Sequence, residues 1–229
     1  MRKFIKIGLI LLSLVVVLLF FLKVELMRQG GPVMVLILLS SIFAVAVVIE
    51  KLGQFFAESA KTDILLKNIF ESIDRQRIKE AIDNCNQADV SVGRVLRAGI
   101  IKYDRPKEEI RDAMQDAFDL EMPLLENKLS ILSTIIQVAP LLGFLGTLIG
   151  LLDIFKAVSS GPGGLAAAGG IHFVPGIEQA LICSVSSFIV AIPALVAYNY
   201  LNYKLKSIVE DIEFASTRLL NFLIDRRMP

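Results

Sequence analysis

The sequence has no tryptophan, one histidine and two cysteines in 229 residues. Two thiols, Cys85 and Cys183, exclude a disulfide scaffold and cannot complete a zinc site by themselves. A single histidine excludes a His-based metal or catalytic cluster. Net charge is nearly absent, 24 Lys and Arg against 23 Asp and Glu, which argues against nucleic acid as the main partner. Charge is also missing from one long region. Residues 129–203 hold only Asp153, Lys156 and Glu178, whereas residues 50–128 hold 29 charged residues. The chain is 55% hydrophobic, against ~45–50% in soluble domains. One small soluble core cannot hide that much apolar surface, so the composition implies an all-α integral membrane protein with a compact polar domain.

A helix needs about 20 apolar residues to cross the hydrocarbon core. Phe4–Leu22 is apolar except for Lys6, Val33–Ile49 and Leu129–Leu152 are charge-free, and Phe173–Tyr203 carries only Glu178. The first segment follows Arg2 and Lys3 like a secretory signal. It lacks a small-residue cleavage site, and an uncleaved helix is the favoured reading. Basic residues mark the inner side of a membrane. They cluster before residue 7, at Lys204 and Lys206, and at Arg226 and Arg227. The expected topology has both termini and residues 53–128 in the cytoplasm and the 153–172 loop outside. The expected divisions are residues 1–28, an N-terminal hydrophobic helix; 29–52, the first core span; 53–128, a cytoplasmic helical domain; 129–203, two pore-lining spans; and 204–229, a cytoplasmic C-terminal helix.

Within the charged part, apolar residues recur at helical spacing. One set is Ile64, Leu65, Ile69 and Ile73; another is Ile110, Met114, Ala117, Phe118, Leu124 and Leu125. Breakers fall at Asp89–Ser91 and Asp104–Pro106. Pro106 suits a first helical turn, with Asp104 as a cap and Glu108 and Glu109 at the favourable end of the dipole. The spacing predicts one long helix from about Arg105 to Phe155, bent near Pro123 and Pro140. Its mixed charges read as a solvated face.

The third span carries Ala139, Gly143, Gly146 and Gly150 on one stripe, next to Pro140. The last span repeats the device with Ala180, Ser184, Ser187, Ala191 and Ala194, and contains Pro193. Small residues at this spacing let helices approach closely. Two readings stay open: packing within one chain, or small and hydroxyl-bearing faces of several chains lining a pore. The glycines of the 161–170 loop are not followed by Gly-Lys-Ser/Thr, which excludes a phosphate-binding loop. His172 at the span boundary reads as structural rather than as a proton relay. Glu178 stands out, because ionisable groups inside a span are expensive and functional by default. It lies ~12 Å outward from a span centre near Ser186. No titratable residue lies deeper in the last three spans, so a midplane carboxylate would have to come from another chain.

Residues 139–155 closely resemble the hallmark of the MotA/TolQ/ExbB proton-channel family. The block from Gly30-Gly31-Pro32 to Ile49-Glu50-Lys51-Leu52 is similar to the first core helix of its ExbB-type members. Pro175-Gly176-Ile177, Ala180-Leu181-Ile182 and Ala191-Ile192-Pro193-Ala194 through Asn199 are similar to the last one. The resemblance covers roughly residues 30–203. It implies a homopentamer in the bacterial inner membrane around ExbD- or TolR-like single-span subunits, each supplying an aspartate. Proton flow would drive rearrangement passed to a TonB- or TolA-like protein, energising outer-membrane-directed transport. Thr147 matches the family's pore threonine, and Ser184 takes the place of the second one. Gln179 stands where many members have glutamate, with Glu178 one position earlier, and Ser187 replaces a glycine. No cofactor or metal is implied. The alternatives are a TolQ-like subunit of an envelope-maintenance or gliding motor, and a non-conducting membrane scaffold. No nucleophile–base–orienter set points to an enzyme. A solute permease would show an internal repeat and a midplane polar pocket, and the sequence has neither.

Overall fold

The computed structural model describes residues 30–160 and 173–225. The N-terminal hydrophobic segment, the glycine loop with His172, and Arg226 and Arg227 lie outside the described residues. Every element among the described residues is a helix: α1 (Gly31–Asp74), α2 (Ile78–Ala88), α3 (Ser91–Ile101), α4 (Lys107–Glu126), α5 (Leu129–Ser160) and α6 (Phe173–Asp225). The stretches Gly31–Asp74, Lys107–Lys156 and Pro175–Asp225 are long and apolar enough to cross a membrane.

The described residues divide into two compact units, 30–49 with 128–160 and 173–200, and 50–127 with 201–225. In the apolar unit the charge-free face of α1 meets α6. Val33, Met34, Ile37, Cys183 and Val190 form a buried cluster, flanked by Leu142 and Ile149 of α5. The Cys183 thiol lies 3.1 Å from the Gly30 carbonyl and donates to it.

The charged unit is a helical bundle whose core includes Phe55, Ile69, Leu96, Ile100, Ile110, Ile212 and Leu219, all nearly or fully buried. The expected apolar stripes hold only in part. Leu65, Ile69 and Ile73 are buried while Ile64 is 66% exposed, and Leu125 is buried while Leu124 is 58% exposed. Consecutive residues point about 100° apart, so one core face cannot take both members of either pair.

The expected breaks appear at Asp89–Val90 and at Lys102–Pro106. Asp104 does not cap α4: the residue at its cap is Pro106, and no side chain bonds there. The long Arg105–Phe155 helix is two helices. Pro123 lies within α4, and the chain leaves helical geometry at Asn127 (φ −49°, ψ 141°). Lys128 then takes a left-handed conformation, φ +67°, which is costly for a side-chain-bearing residue.

Three charged side chains of α1 organise the shorter helices. Lys51, only 2% exposed, donates to the Leu125 carbonyl at 3.0 Å and the Leu124 carbonyl at 3.4 Å, at the C-terminus of α4. Lys61 donates to the Ala88 carbonyl, the last of α2, at 3.2 Å. Glu58 accepts the Ser91 backbone N–H at 3.0 Å and the Ser91 hydroxyl at 3.0 Å, at the N-terminus of α3. Each sign opposes the local helix dipole and each satisfies groups the helix leaves orphaned. The solvated-face reading of the 105–155 segment fails at Glu121 of α4. That carboxylate is 7% exposed and receives Arg94 through Nε at 2.5 Å and Nη2 at 2.7 Å. Arg94 also donates to Asp89 at 2.7 Å. The bond to Glu121 holds the guanidinium above its ordinary pKa, with burial pulling the other way.

Candidate functional site

The glycine stripe of α5 sets the geometry of the paired spans. Ala139, Gly143, Gly146 and Gly150 are all buried. A Cβ at Gly143 would collide with the Ser187 side chain, one at Gly146 would sit 2.5 Å from the Cys183 Cβ, and one at Gly150 would sit 2.6 Å from the Gly176 carbonyl. The stripe is thus filled by α6 of the same chain, with Val33 of α1 near Gly146. Of the two readings of these small residues, packing within the chain is the one this geometry displays. Ala191 is buried too, and Pro140 and Pro193 are half-buried.

The same contacts fix an antiparallel register, with Gly143 beside Ser187, Gly146 beside Cys183 and Gly150 beside Ala180. On that register Thr147 and Ser184 lie at one level of the α5–α6 pair. Both are half-buried, at the edge between the packed stripe and the open apolar faces of Phe144, Leu148, Leu181 and Val185. The Thr147 hydroxyl donates to the Phe144 carbonyl at 2.5 Å. Its oxygen retains acceptor capacity. Ser187 departs from this edge: it is fully buried, and its hydroxyl donates to the Ser184 carbonyl at 2.8 Å.

Glu178 and Gln179 lie toward the start of α6, with Glu178 about 9 Å along the helix from Ser184. Glu178 is exposed and Gln179 half-buried. Gln179 packs on Gly31, where a Cβ would come within 2.6 Å of its amide nitrogen. Gly31 has φ +66°, a conformation glycine adopts without penalty. Glycine at that position both turns the chain into α1 and makes room for Gln179.

One residue of this unit escapes sequence reasoning. Ser186 is fully buried, and its hydroxyl has no hydrogen-bond partner. A serine among small residues reads as packing, and only the three-dimensional surroundings reveal an orphaned donor. Chemically, the paired spans offer hydroxyls at one level and a carboxylate further toward the start of α6. Among the described residues no group of His, Cys, Asp and Glu could hold a metal ion. Cys85 and Cys183 are free and buried.

The family model of the MotA/TolQ/ExbB proton channel family matches residues 65–214. The biopolymer transport ExbB-like 3 protein of Synechocystis is 34% identical over 171 residues, covering 74% of this chain and 80% of that relative. An ExbB homolog of Methanothermobacter thermautotrophicus is 29% identical, over 82% of this chain and 66% of the relative. The Tol-Pal system protein TolQ of Haemophilus influenzae is 28% identical over 203 residues, covering 83% and 86%.

Proposed function

Because this chain belongs to the MotA/TolQ/ExbB proton channel family and is a multi-pass membrane protein, we propose that it is the channel-forming subunit of a proton-driven motor. In this reading it sits in a bacterial inner membrane with its charged unit and C-terminus in the cytoplasm. Five copies surround ExbD- or TolR-like single-span subunits. The complex passes the energy of proton entry to a TonB- or TolA-like protein.

The observation that carries this reading is a mismatch within the membrane unit. Thr147 and Ser184 place hydroxyls at a common level, yet among the described residues of the spans no Asp, Glu, Lys, Arg or His lies deeper than Glu178. Hydroxyls can relay hydrogen bonds at a buried site, but a proton that pauses there needs a group whose pKa lies near ambient pH. A second chain bringing one carboxylate to that level supplies it. The small stripes of α5 and α6 are spent on each other, which leaves the apolar faces with Thr147 and Ser184 at their edge for that second chain.

The test is proton uptake into vesicles containing this protein with its genomic neighbour of single-span type. Thr147→Val keeps the volume and removes the hydroxyl. Uptake should fall several-fold while the complex still assembles. Normal uptake would reduce Thr147 to a packing residue, and absence of uptake in the unaltered complex would favour the scaffold. Similarity to TolQ over most of both chains supports a second reading, an envelope-maintenance motor of the same mechanism. The two are separated by whether deletion impairs nutrient uptake or envelope integrity.

A further inference from the structure

A cavity of about 320 Å³ opens on the charged unit between α4 and the C-terminal part of α6. Its lining mixes apolar side chains, Met114 and Phe118 of α4 with Ile212 and Leu220 of α6, and the polar Glu213 and Thr217 of α6. Arg111 and Gln115, both exposed, stand on its α4 side. In its α6 wall the Ser216 hydroxyl is buried without a hydrogen-bond partner. The apolar surface that the cavity leaves open to water costs free energy that shrinks when an occupant excludes water.

The same helix carries a shape that fits. Phe214 is 65% exposed and lies two residues from both Ile212 and Ser216. It therefore points about 200° around α6 from each of them. From the middle of the cavity's α6 wall, which also includes Glu213 and Thr217, the phenyl ring points roughly 130° around the helix, so cavity and ring use different faces of α6. A contact joining two different surfaces of identical chains is head-to-tail, and such contacts close into rings when the rotation permits. Charge agrees with shape. Glu210 and Asp211 stand exposed one turn before Phe214, and Arg111 stands at the cavity's α4 side. Glu213 also borders the cavity, from α6.

We propose that the cavity receives Phe214 of an adjacent copy of this chain, with Glu210 of that copy beside Arg111. The contact deepens the ring reading above and rests on it. Its failure is separable, because a ring can exist without this contact. The experiment uses the full-length protein in native membranes with Phe214→Cys and Gln115→Cys combined, treated with a short bis-maleimide. Cys85 and Cys183 are buried, so the introduced pair dominates the reaction. The double variant should give a ladder of covalent dimers and larger species, and neither single variant should. Within that background Glu210→Lys or Arg111→Glu should reduce the ladder several-fold, and the two together should restore it. A ring that is intact by native mass but gives no ladder overturns the contact, and so does failure of the charge exchange to restore it. That first outcome is the one expected if a partner's tail or a small amphiphile fills the cavity instead. Dimers from Phe214→Cys alone would show a two-fold contact and overturn it as well. A protein that is monomeric under all conditions removes both the contact and the ring.

Discussion

Glu178 and Gln179 are neighbours in sequence but about 100° apart on α6, and their surroundings assign them different work. The Glu178 carboxylate is exposed in the single chain, whereas Gln179 is wedged on Gly31. A side chain already packed inside its own chain is poorly placed to meet a partner. Glu178→Gln should therefore lower proton-dependent activity at matched expression, and Gln179→Ala should mainly loosen the α1–α6 contact. A silent Glu178→Gln beside an inactive Gln179→Ala would reverse the assignment. The Cys85 thiol offers a cleaner test of burial in the charged unit. Desolvation pushes its pKa up to about 12, with Arg97 pulling weakly the other way. The reactive species is the thiolate, and at pH 8 about one thiol in ten thousand is ionised at that pKa. Iodoacetamide should leave Cys85 unmodified in the folded protein and label it readily after denaturation. Labelling at the rate of a free exposed thiol would contradict the packing of α2.

At the scale of elements, two glycines in long helices predict opposite outcomes. Gly143 faces α6 so closely that a Cβ would strike Ser187, while a Cβ at Gly53 of α1 meets nothing within 4 Å. Gly53→Ala should stabilise the protein by roughly 0.5–1 kcal/mol, because alanine loses less backbone entropy in a helix. Gly143→Ala should destabilise it by roughly 1–3 kcal/mol, the range for overpacking. Thermal unfolding followed by circular dichroism in detergent reads both, as midpoint shifts of opposite sign; shifts of the same sign would refute the α5–α6 register. The stripe that creates this difference was legible as a period in the sequence, because small residues recur where helices approach. What fills it was not legible, since periodicity names a face and never its partner. The same limit explains the charged unit. The spacing located the cytoplasmic part of α1, α4 and two breaks between helices. It missed Lys51, Glu58 and Glu121, because their helix-end carbonyls, Ser91 and Arg94 lie 74, 33 and 27 residues away. It also ran α4 into α5, because nothing in the composition of Asn127 and Lys128 requires a left-handed lysine there.

At the scale of the whole molecule, the question is what surrounds the open faces of the spans. Leu141, Phe144, Leu148 and Leu152 of α5 and Leu181, Phe188 and Ile192 of α6 are each more than 40% exposed in the single chain. Lipid can cover such residues, so their exposure alone requires no partner. The hydroxyls argue further, because Thr147 and Ser184 sit at the edge of these faces, and polar groups in hydrocarbon seek hydrogen-bonding neighbours across helices. Rings of this chain around a foreign helix would shield both hydroxyls, whereas a monomer in lipid would leave them facing acyl chains. On the proposed function, native mass measurement of the detergent-solubilised complex, co-expressed with the proposed single-span partner, should give five copies of this chain together with the smaller subunit. Replacing that partner's intramembrane carboxylate by its amide should leave that mass unchanged and abolish proton uptake, since assembly rests on packing and transport on the titratable group. A chain that stays monomeric beside its partner would sink the ring, and uptake that survives the amide would move the proton path onto Glu178.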